Sequence, residues 1–554
     1  MAPSGGCMVT TAETIAGFFA ETGVLRLFGV PAGGATLELI EAARHHRVPF
    51  VAAPHETSAA VMAAAAGDLL GKPGVCLAGR GVGPASICAG IAHAALDRAP
   101  LLVFMDKADR QSARLSLAQA IEPLRCLDPW LKGSASISAP RVGRLLTWAW
   151  AKALKAPPGP VLLELAADEA GRPVRHGPPA LHEPRRGSDP SPHAIRSIGR
   201  LLNRCGRVVV IAGLECRTPR VSRALQDLVE HLGSPLLATP RTKGVVPDDH
   251  PLVAGTFIGG RLDREFLAKA DGVLAVGLDP VELLPRPWRA DLPVAVLAGS
   301  RMSPRPFEPI CEVVGNLQTG LEALREALPP GGGWRLADWA SRAGGFRTEV
   351  RARLAEAGTG RSKSGVPPHR VVEIARNVFP RETVVTVDTG AHTPVVAAFW
   401  DSFHPRSFLC SSGLGLTGFA LPAAIGAKLA APERPVLAFT GDAGFVRSLG
   451  DLAHAAWQRT PIVSIVFLDG SASASRVLQE QRRFVPIGTT LGNLDVARLT
   501  EGFGVLGTEV EDEEGLQAAL KDALDATQPA VISVRVRASG YRRLLELLHG
   551  KAGE

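Results

Sequence analysis

Asp442 and Asp469 stand 27 residues apart, each directly after an apolar run, in "LAFTGDAG" (437–444) and "IVFLDGSA" (465–472). That interval fits one strand-helix-strand crossover, which sets the carboxyl ends of two parallel strands side by side. A third run, "TVVTVD" (383–388), ends in "VDTGAH" (387–392). Open parallel sheets bind ligands beyond the carboxyl ends of their strands. Glycines there let backbone N–H groups approach an anion, and Asp442 and Asp469 offer hard oxygens to Mg²⁺ or Ca²⁺ alongside phosphate oxygens. The residues therefore describe a metal-bridged diphosphate site. Either Asp-Gly pair taken alone reads equally as a turn.

The elements that must position these residues fall into three groups. Residues 1–175 alternate short apolar runs such as "LRLFGV" (25–30), "VCLA" (75–78), "LLVFM" (101–105) and "VLLEL" (161–165) with amphipathic stretches. That pattern predicts an α/β unit with a mainly parallel sheet. The Pro- and Arg-rich stretch 172–193 reads as a linker. A second α/β unit, 190–335, carries "RVVVIAG" (207–213), "PLLAT" (235–239), "GVLAVG" (272–277) and "VAVLAG" (294–299). The third, 365–545, holds the aspartates. The fold expected is three consecutive α/β domains.

Composition narrows the chemistry. Of 554 residues 46% are apolar and 21% charged, as in an ordinary globular protein, and the net charge of +7 is scattered rather than gathered in runs. Nucleic acid is not expected as a partner; a small anion suffices. Eight cysteines lie far apart without metal-ligand spacing, which suits reduced thiols. No basic leader with an apolar core and no long uncharged apolar segment is present, so the expected location is cytoplasmic.

The Gly-Asp-Ala-Gly to Leu-Asp-Gly-Ser segment resembles the thiamine-diphosphate binding motif, Gly-Asp-Gly followed by about two dozen residues and Asn-Asn. "FGVPAGGATLELIEA" (28–42), "PHETSAAVMAAAAGDL" (54–69) and "SSGLGLTGFALPAAIGAKLA" (411–430) also resemble the acetolactate synthase and benzoylformate decarboxylase group, in the family's order. The resemblance implies a pyrimidine-binding, a middle and a diphosphate-binding domain, with thiamine diphosphate and Mg²⁺ as cofactors. It makes Asp442, Asp469 and the carbonyl of Ser471 the metal ligands, with Ala443 and Gly444 completing the motif. Thr389, Gly390, Ala391 and His392 fall on the diphosphate-contacting loop. Gly415 matches the carbonyl that accepts the aminopyrimidine group, and Thr417 the residue that props the cofactor in its bent form. Glu56 matches the glutamate that hydrogen-bonds the pyrimidine nitrogen and starts the proton relay to the thiazolium carbon. Gln119 aligns with a cofactor-facing glutamine, and Arg80, in "GRGVG" (79–83), lies near the expected substrate entrance.

Several of these positions have plain structural alternatives: Glu56 as a helix-start acid, Gln119 on a surface helix, His392 as a cap and Arg80 facing solvent. Departures from the motif are Ala443 for Gly, Leu468-Asp469 for Asn-Asn and Thr417 for a bulkier apolar residue. FAD is not expected, because "VGLDPVELLP" (276–285) lacks the flavin-associated sequence. Simple decarboxylases of the family carry a His-His pair in the first domain and a glutamate beyond the metal motif. Here His45-His46 precedes the Glu56 segment and Ser475 takes the glutamate's place. The leading expectation is a lyase or carboligase acting on a 2-oxo acid or acyloin. The alternatives are a 2-oxo acid decarboxylase and, from another class, a non-catalytic scaffold. Glu56 and the aspartates lie in different domains, and the resemblance implies a homodimer or homotetramer with shared sites. The Ala-rich helix 58–70 is expected to supply an apolar face for that contact.

Overall fold

The computed structural model describes residues 9–109, 123–174, 177–180, 187–283, 292–330, 336–359 and 365–549. Three six-stranded sheets, parallel throughout, are each built from one of the three sequence units. The first holds β1 (Leu27–Gly29), β2 (Phe50–Ala52), β3 (Gly74–Ala78), β4 (Leu101–Lys107), β5 (Gly133–Ser136) and β6 (Pro160–Ala166), in the order β2-β1-β3-β4-β6-β5. The second holds β7 (Val208–Ala212), β8 (Leu236–Ala238), β9 (Val253–Thr256), β10 (Gly272–Val276), β11 (Val294–Ala298) and β12 (Cys311–Val314), in the order β9-β8-β7-β10-β11-β12. The third holds β13 (Val384–Val387), β14 (Phe408–Cys410), β15 (Val436–Gly441), β16 (Val463–Leu468), β17 (Leu506–Val510) and β18 (Ala530–Arg535), in the order β14-β13-β15-β16-β18-β17. The first and third sheets thus share one topology. The middle sheet has the dinucleotide-fold order.

Central strands such as β3, β7 and β10 are buried at every residue, as parallel strands covered on both faces must be. Within the three six-stranded sheets, five strands absent from the sequence reading, β5, β9, β12, β14 and β17, all lie at sheet edges. One further difference concerns 172–193. Pro173–Val174 pairs antiparallel with Val9–Thr10 in a small two-stranded sheet, so the expected linker begins by tying back to the start of the described chain.

Six helices frame the site and its surroundings: α1 (Ala35–His45), α2 (Glu56–Leu70), α3 (Pro219–Leu232), α4 (Ala420–Ala430), α5 (Asp442–Arg447) and α6 (Leu449–Trp457). In α2 the His55 ring accepts the N–H of Ser58 at the start, and Gly71 closes the helix in the left-handed region, φ 68°. Its run of alanines permits a close helix contact, and α4 makes it. A Cβ on Gly426 would lie 2.2 Å from the carbonyl oxygen of Met62. Ala59 to Ala66 are buried in one apolar cluster that continues through α4 into β15 and β16. This corrects the expectation of a subunit-facing Ala-rich helix: its face is covered within the same chain, by the third domain. Among the described residues no helix is long and apolar enough to cross a membrane.

Candidate active site

β15 and β16 run parallel with Gly441 opposite Phe467, so the turns after them meet. Asp442, the first residue of α5, accepts the N–H of Gly470 at 2.7 Å on one oxygen and that of Asp469 at 3.3 Å on the other. Asp469 in turn accepts the N–H of Ser471 at 2.9 Å and the hydroxyl of Ser473 at 2.7 Å. Ser471 is buried, with its hydroxyl donated to the carbonyl of Thr489. Burial pushes the Asp442 carboxyl up, while burial and then repulsion from Asp442 push Asp469 up to about 7. Two carboxylates and adjacent main chain form a donor set suited to a hard cation that also takes ligand oxygens.

Thr389 to His392 follow β13, on the other side of β15. The His392 ring is buried, stacked on Phe467 at 5.3 Å, and among the described residues its Nε2 has no hydrogen-bond partner. Burial holds this ring down to about 4, so it is neutral. Gly390 passes so close beneath it that a Cβ there would lie 2.6 Å from His392 Cε1. Gly415 and Thr417 lie half-buried in the turn between β14 and α4; Gly415 has φ 70° and Leu416 packs into the core.

The residue that joins these parts, and that the sequence reading passed over, is Asp388. Fully buried at the end of β13, it accepts the N–H groups of Thr389 (2.8 Å), Gly418 (2.9 Å) and Phe419 (3.3 Å) and the hydroxyl of Thr440 (2.9 Å). It therefore fixes the His392 loop, the Gly415–Thr417 loop and β15 against one another. Gly444 makes room for it: a Cβ would lie 1.9 Å from Asp388 Oδ2. The signal was present, since "VDTGAH" is a third strand ending in aspartate.

At the edge of the first sheet Glu56 is 6% exposed, and among the described residues its carboxylate accepts no hydrogen bond. Buried carboxylates are normally partnered. Gly83 lies beside it, with a Cβ position 3.9 Å from Glu56 Oε1. Arg80 stands 3.6 Å from Asp106, a buried carboxylate whose other oxygen accepts the N–H of Ala35 at the start of α1. The Arg80 side chain is 41% exposed, which leaves it open to a ligand. Behind Glu56, Gln458 donates to the carbonyl of Ala52 at 3.0 Å, and the Ser58 hydroxyl lies 3.2 Å from His55 Nε2. Gln119 lies outside the described residues. No hydrogen bond or ion pair among the described residues joins Glu56 or Arg80 to the aspartate and histidine group of the third domain. The structure thus brings the predicted residues together as two separate sets.

Comparison with known proteins gives this arrangement its family. The model of the thiamine pyrophosphate enzyme N-terminal TPP binding domain matches residues 9–124, that of the central domain 195–324, and that of the C-terminal TPP binding domain 388–534. The chain belongs to the thiamine-diphosphate-dependent enzymes. This family member is 27% identical over 546 residues to the catabolic acetolactate synthase of Raoultella terrigena, covering 95% of each chain. It is 29% identical over 541 residues to the probable 2-ketoarginine decarboxylase AruI of Pseudomonas aeruginosa, covering 95% of this chain and 94% of that one. Its fold matches the crystal structure of benzoylformate decarboxylase from Polynucleobacter necessarius with a TM-score of 0.83 at 20% identity, over 96% of this chain and 99% of that one.

The residues present fit thiamine diphosphate: among the described residues His392 Nε2 and the Glu56 carboxylate have no hydrogen-bond partner, which the cofactor would supply, and Asp442 and Asp469, each already accepting protein hydrogen bonds, offer hard oxygens to its cation. At the β7/β10 reversal of the middle sheet, buried Glu282 accepts the N–H of Leu214 at 2.9 Å and the hydroxyl of Thr239.

Proposed function

We propose that this thiamine-diphosphate-dependent enzyme is a carbon-carbon lyase or carboligase acting on a 2-oxo acid or an acyloin. The observation that carries the reading is the pairing of a buried Glu56 without a hydrogen-bond partner among the described residues, beyond a strand of the first sheet, with the Asp442–Asp469 pair at the strand ends of the third. Bound thiamine diphosphate supplies a nucleophilic carbon and an electron sink for the cleaved bond. Asp442, Asp469 and the Ser471 carbonyl would hold Mg²⁺, and Thr389 to His392 with Ala443 and Gly444 would line the diphosphate. Gly415 and Thr417 would face the pyrimidine side. Glu56 would hold the proton that activates the cofactor, in a pocket whose burial excludes water. Arg80, with Asp106 behind it, would meet the substrate carboxylate.

Ligation in preference to plain protonation is supported by where the spare histidines are. His45 and His46 are both bound to Glu13, at 3.1 Å each, at the end of α1 remote from the strand-end edge where Glu56 sits. Ser475 is exposed. The identity with a probable 2-ketoarginine decarboxylase favours, as a second reading, decarboxylation ending in an aldehyde. The assembly that fits two separate residue sets is a homodimer or homotetramer with each site shared. The surface offered for it includes Phe484, Val485 and Ile487, 60%, 77% and 77% exposed, in the segment after the Asp469 turn. Incubating the purified chain with thiamine diphosphate, Mg²⁺ and a panel of 2-oxo acids tests the reading. CO₂ with an acyloin supports ligation, and CO₂ with only aldehyde supports the second reading. Cofactor binding without CO₂ from any acid, and without acyloin cleavage, leaves the scaffold.

A further inference from the structure

A cavity of about 500 Å³ opens where all three domains meet, between the last turn of α2, the first turns of α3 and the segment 403–406 that leads into β14. That volume lies in the range of small-molecule sites. Arg217, Arg223 and Arg406 line it, and among the described residues no aspartate or glutamate does. Leu69, Leu70 and Phe403 give it an apolar wall.

The charges behind the wall do not balance. Asp68 is buried and receives Arg217 at 2.8 Å, Arg241 at 2.7 Å and Arg406 on its other oxygen at 3.4 Å. Asp97, also buried, stands 3.6 Å from Arg241. Three guanidinium groups thus share two carboxylates, and an uncompensated buried charge is costly. Burial and then repulsion from Arg217 push Arg406 down to about 10. Arg406 also sits at φ 64°, a conformation rare for a residue with a Cβ and one that persists only where surroundings enforce it. Its carbonyl-directed bonds, from Nε to Arg217 and from Nη1 to Asp68, leave Nη2 without a hydrogen bond among the described residues. On the rim, exposed Arg223 makes no ion pair among the described residues.

We propose that this three-domain cavity binds a phosphate-bearing small molecule, its phosphate held by Arg406, Arg217 and Arg223 and its organic body laid against Leu69, Leu70 and Phe403. Guanidinium forks match phosphate oxygens two at a time, and a phosphate supplies the negative charge the cluster lacks. The site is separate from the cofactor residues: it adjoins the end of α2 opposite Glu56, about 20 Å away at the rise of a helix.

The test uses the enzyme saturated with thiamine diphosphate and Mg²⁺, so that the diphosphate site is occupied. AMP, a phosphate monoester carrying an aromatic base, is titrated by calorimetry and thermal unfolding, with adenosine and inorganic phosphate as the two halves of the probe. AMP is expected to bind and raise Tm, inorganic phosphate to compete, and adenosine to do neither. Arg223→Ala, on the exposed rim, is expected to weaken AMP by about tenfold, the worth of one charge-assisted contact, with thiamine diphosphate affinity unchanged. Arg406→Lys should weaken it further. No AMP binding at millimolar concentration overturns the proposal, as does binding that is the same in wild type and Arg223→Ala, or equal binding of adenosine.

Discussion

Asp388 carries more of the candidate site's geometry than either aspartate beside the proposed metal, because a single carboxylate takes hydrogen bonds from three main-chain N–H groups and a threonine hydroxyl. Gly444→Ala would put a methyl 1.9 Å from its oxygen, so Asp388 must move and release both loops. Calorimetry should then show thiamine diphosphate affinity reduced by about tenfold or more, the cost of one or two charge-assisted bonds; wild-type affinity in the mutant would remove Asp388 from this role. Glu56→Gln keeps shape and loses the charge and the proton. The expected result is near-normal cofactor binding with loss of about 10² or more in thiazolium proton exchange and turnover, and unchanged exchange by NMR contradicts the assignment. Asp442 and Asp469 were legible in the sequence because each stands at the carboxyl end of an apolar strand, whereas Glu56, four residues beyond the end of β2, stood out only through the family resemblance. Asp388 follows one too, but what it does depends on Gly418 and Phe419, thirty residues on, and no local pattern records that.

At the scale of elements, central strands announced themselves as unbroken Val, Ile and Leu runs, whereas the five strands missed in the three six-stranded sheets are all at sheet edges. Edge strands are covered less and need fewer apolar residues, and β5 (Gly-Ser-Ala-Ser) and β17 (Leu-Gly-Thr-Glu-Val) show how little signal remains. The helix contact between α2 and α4 was equally silent, since an alanine run reads as helix without naming its neighbour. Gly426→Ala tests that contact: its methyl would sit 2.2 Å from a main-chain oxygen that cannot rotate away. Overpacking of this kind costs about 1–3 kcal/mol, read as a lower denaturation midpoint, and an unchanged midpoint means the helices can separate freely. In the middle domain Glu282 gives a pH signature. Burial pushes its carboxyl from an ordinary 4.5 up to about 7, so the folded chain holds this proton more tightly than the unfolded chain. Its contribution is therefore complete below 4.5 and is lost as pH rises through 7, roughly 3 kcal/mol in all. Glu282→Gln should flatten the fall in Tm between pH 5 and 8, and a parallel fall in both proteins would show that the carboxylate ionises without cost.

For the whole molecule, three domains in the family's order were readable from the motifs, but how they share an active site was not, because two residue sets on one chain do not specify whose partner each set serves. Mixing a Glu56→Gln chain with an Asp442→Ala chain addresses this. Shared sites predict that two inactive proteins regain activity on subunit exchange, up to about a quarter of wild type for random pairing in dimers, while proven exchange without recovery places each site within one chain. Cofactor and Mg²⁺ together should raise Tm, by the equivalent of about 2.7 kcal/mol at a hundredfold excess over Kd, and EDTA should reverse it.

The α2–α4 contact has a consequence for how the chain is made. Roughly 350 residues separate Leu70 from Ala420. At about 5–20 residues per second on the ribosome, the alanine face of α2 waits for its cover for about 18 to 70 s, long after its own sheet can form. Slower growth temperatures and chaperone co-expression should therefore raise the soluble yield of the full chain. A fragment ending at residue 175 never receives the covering helix and should precipitate, however well its own strands pair.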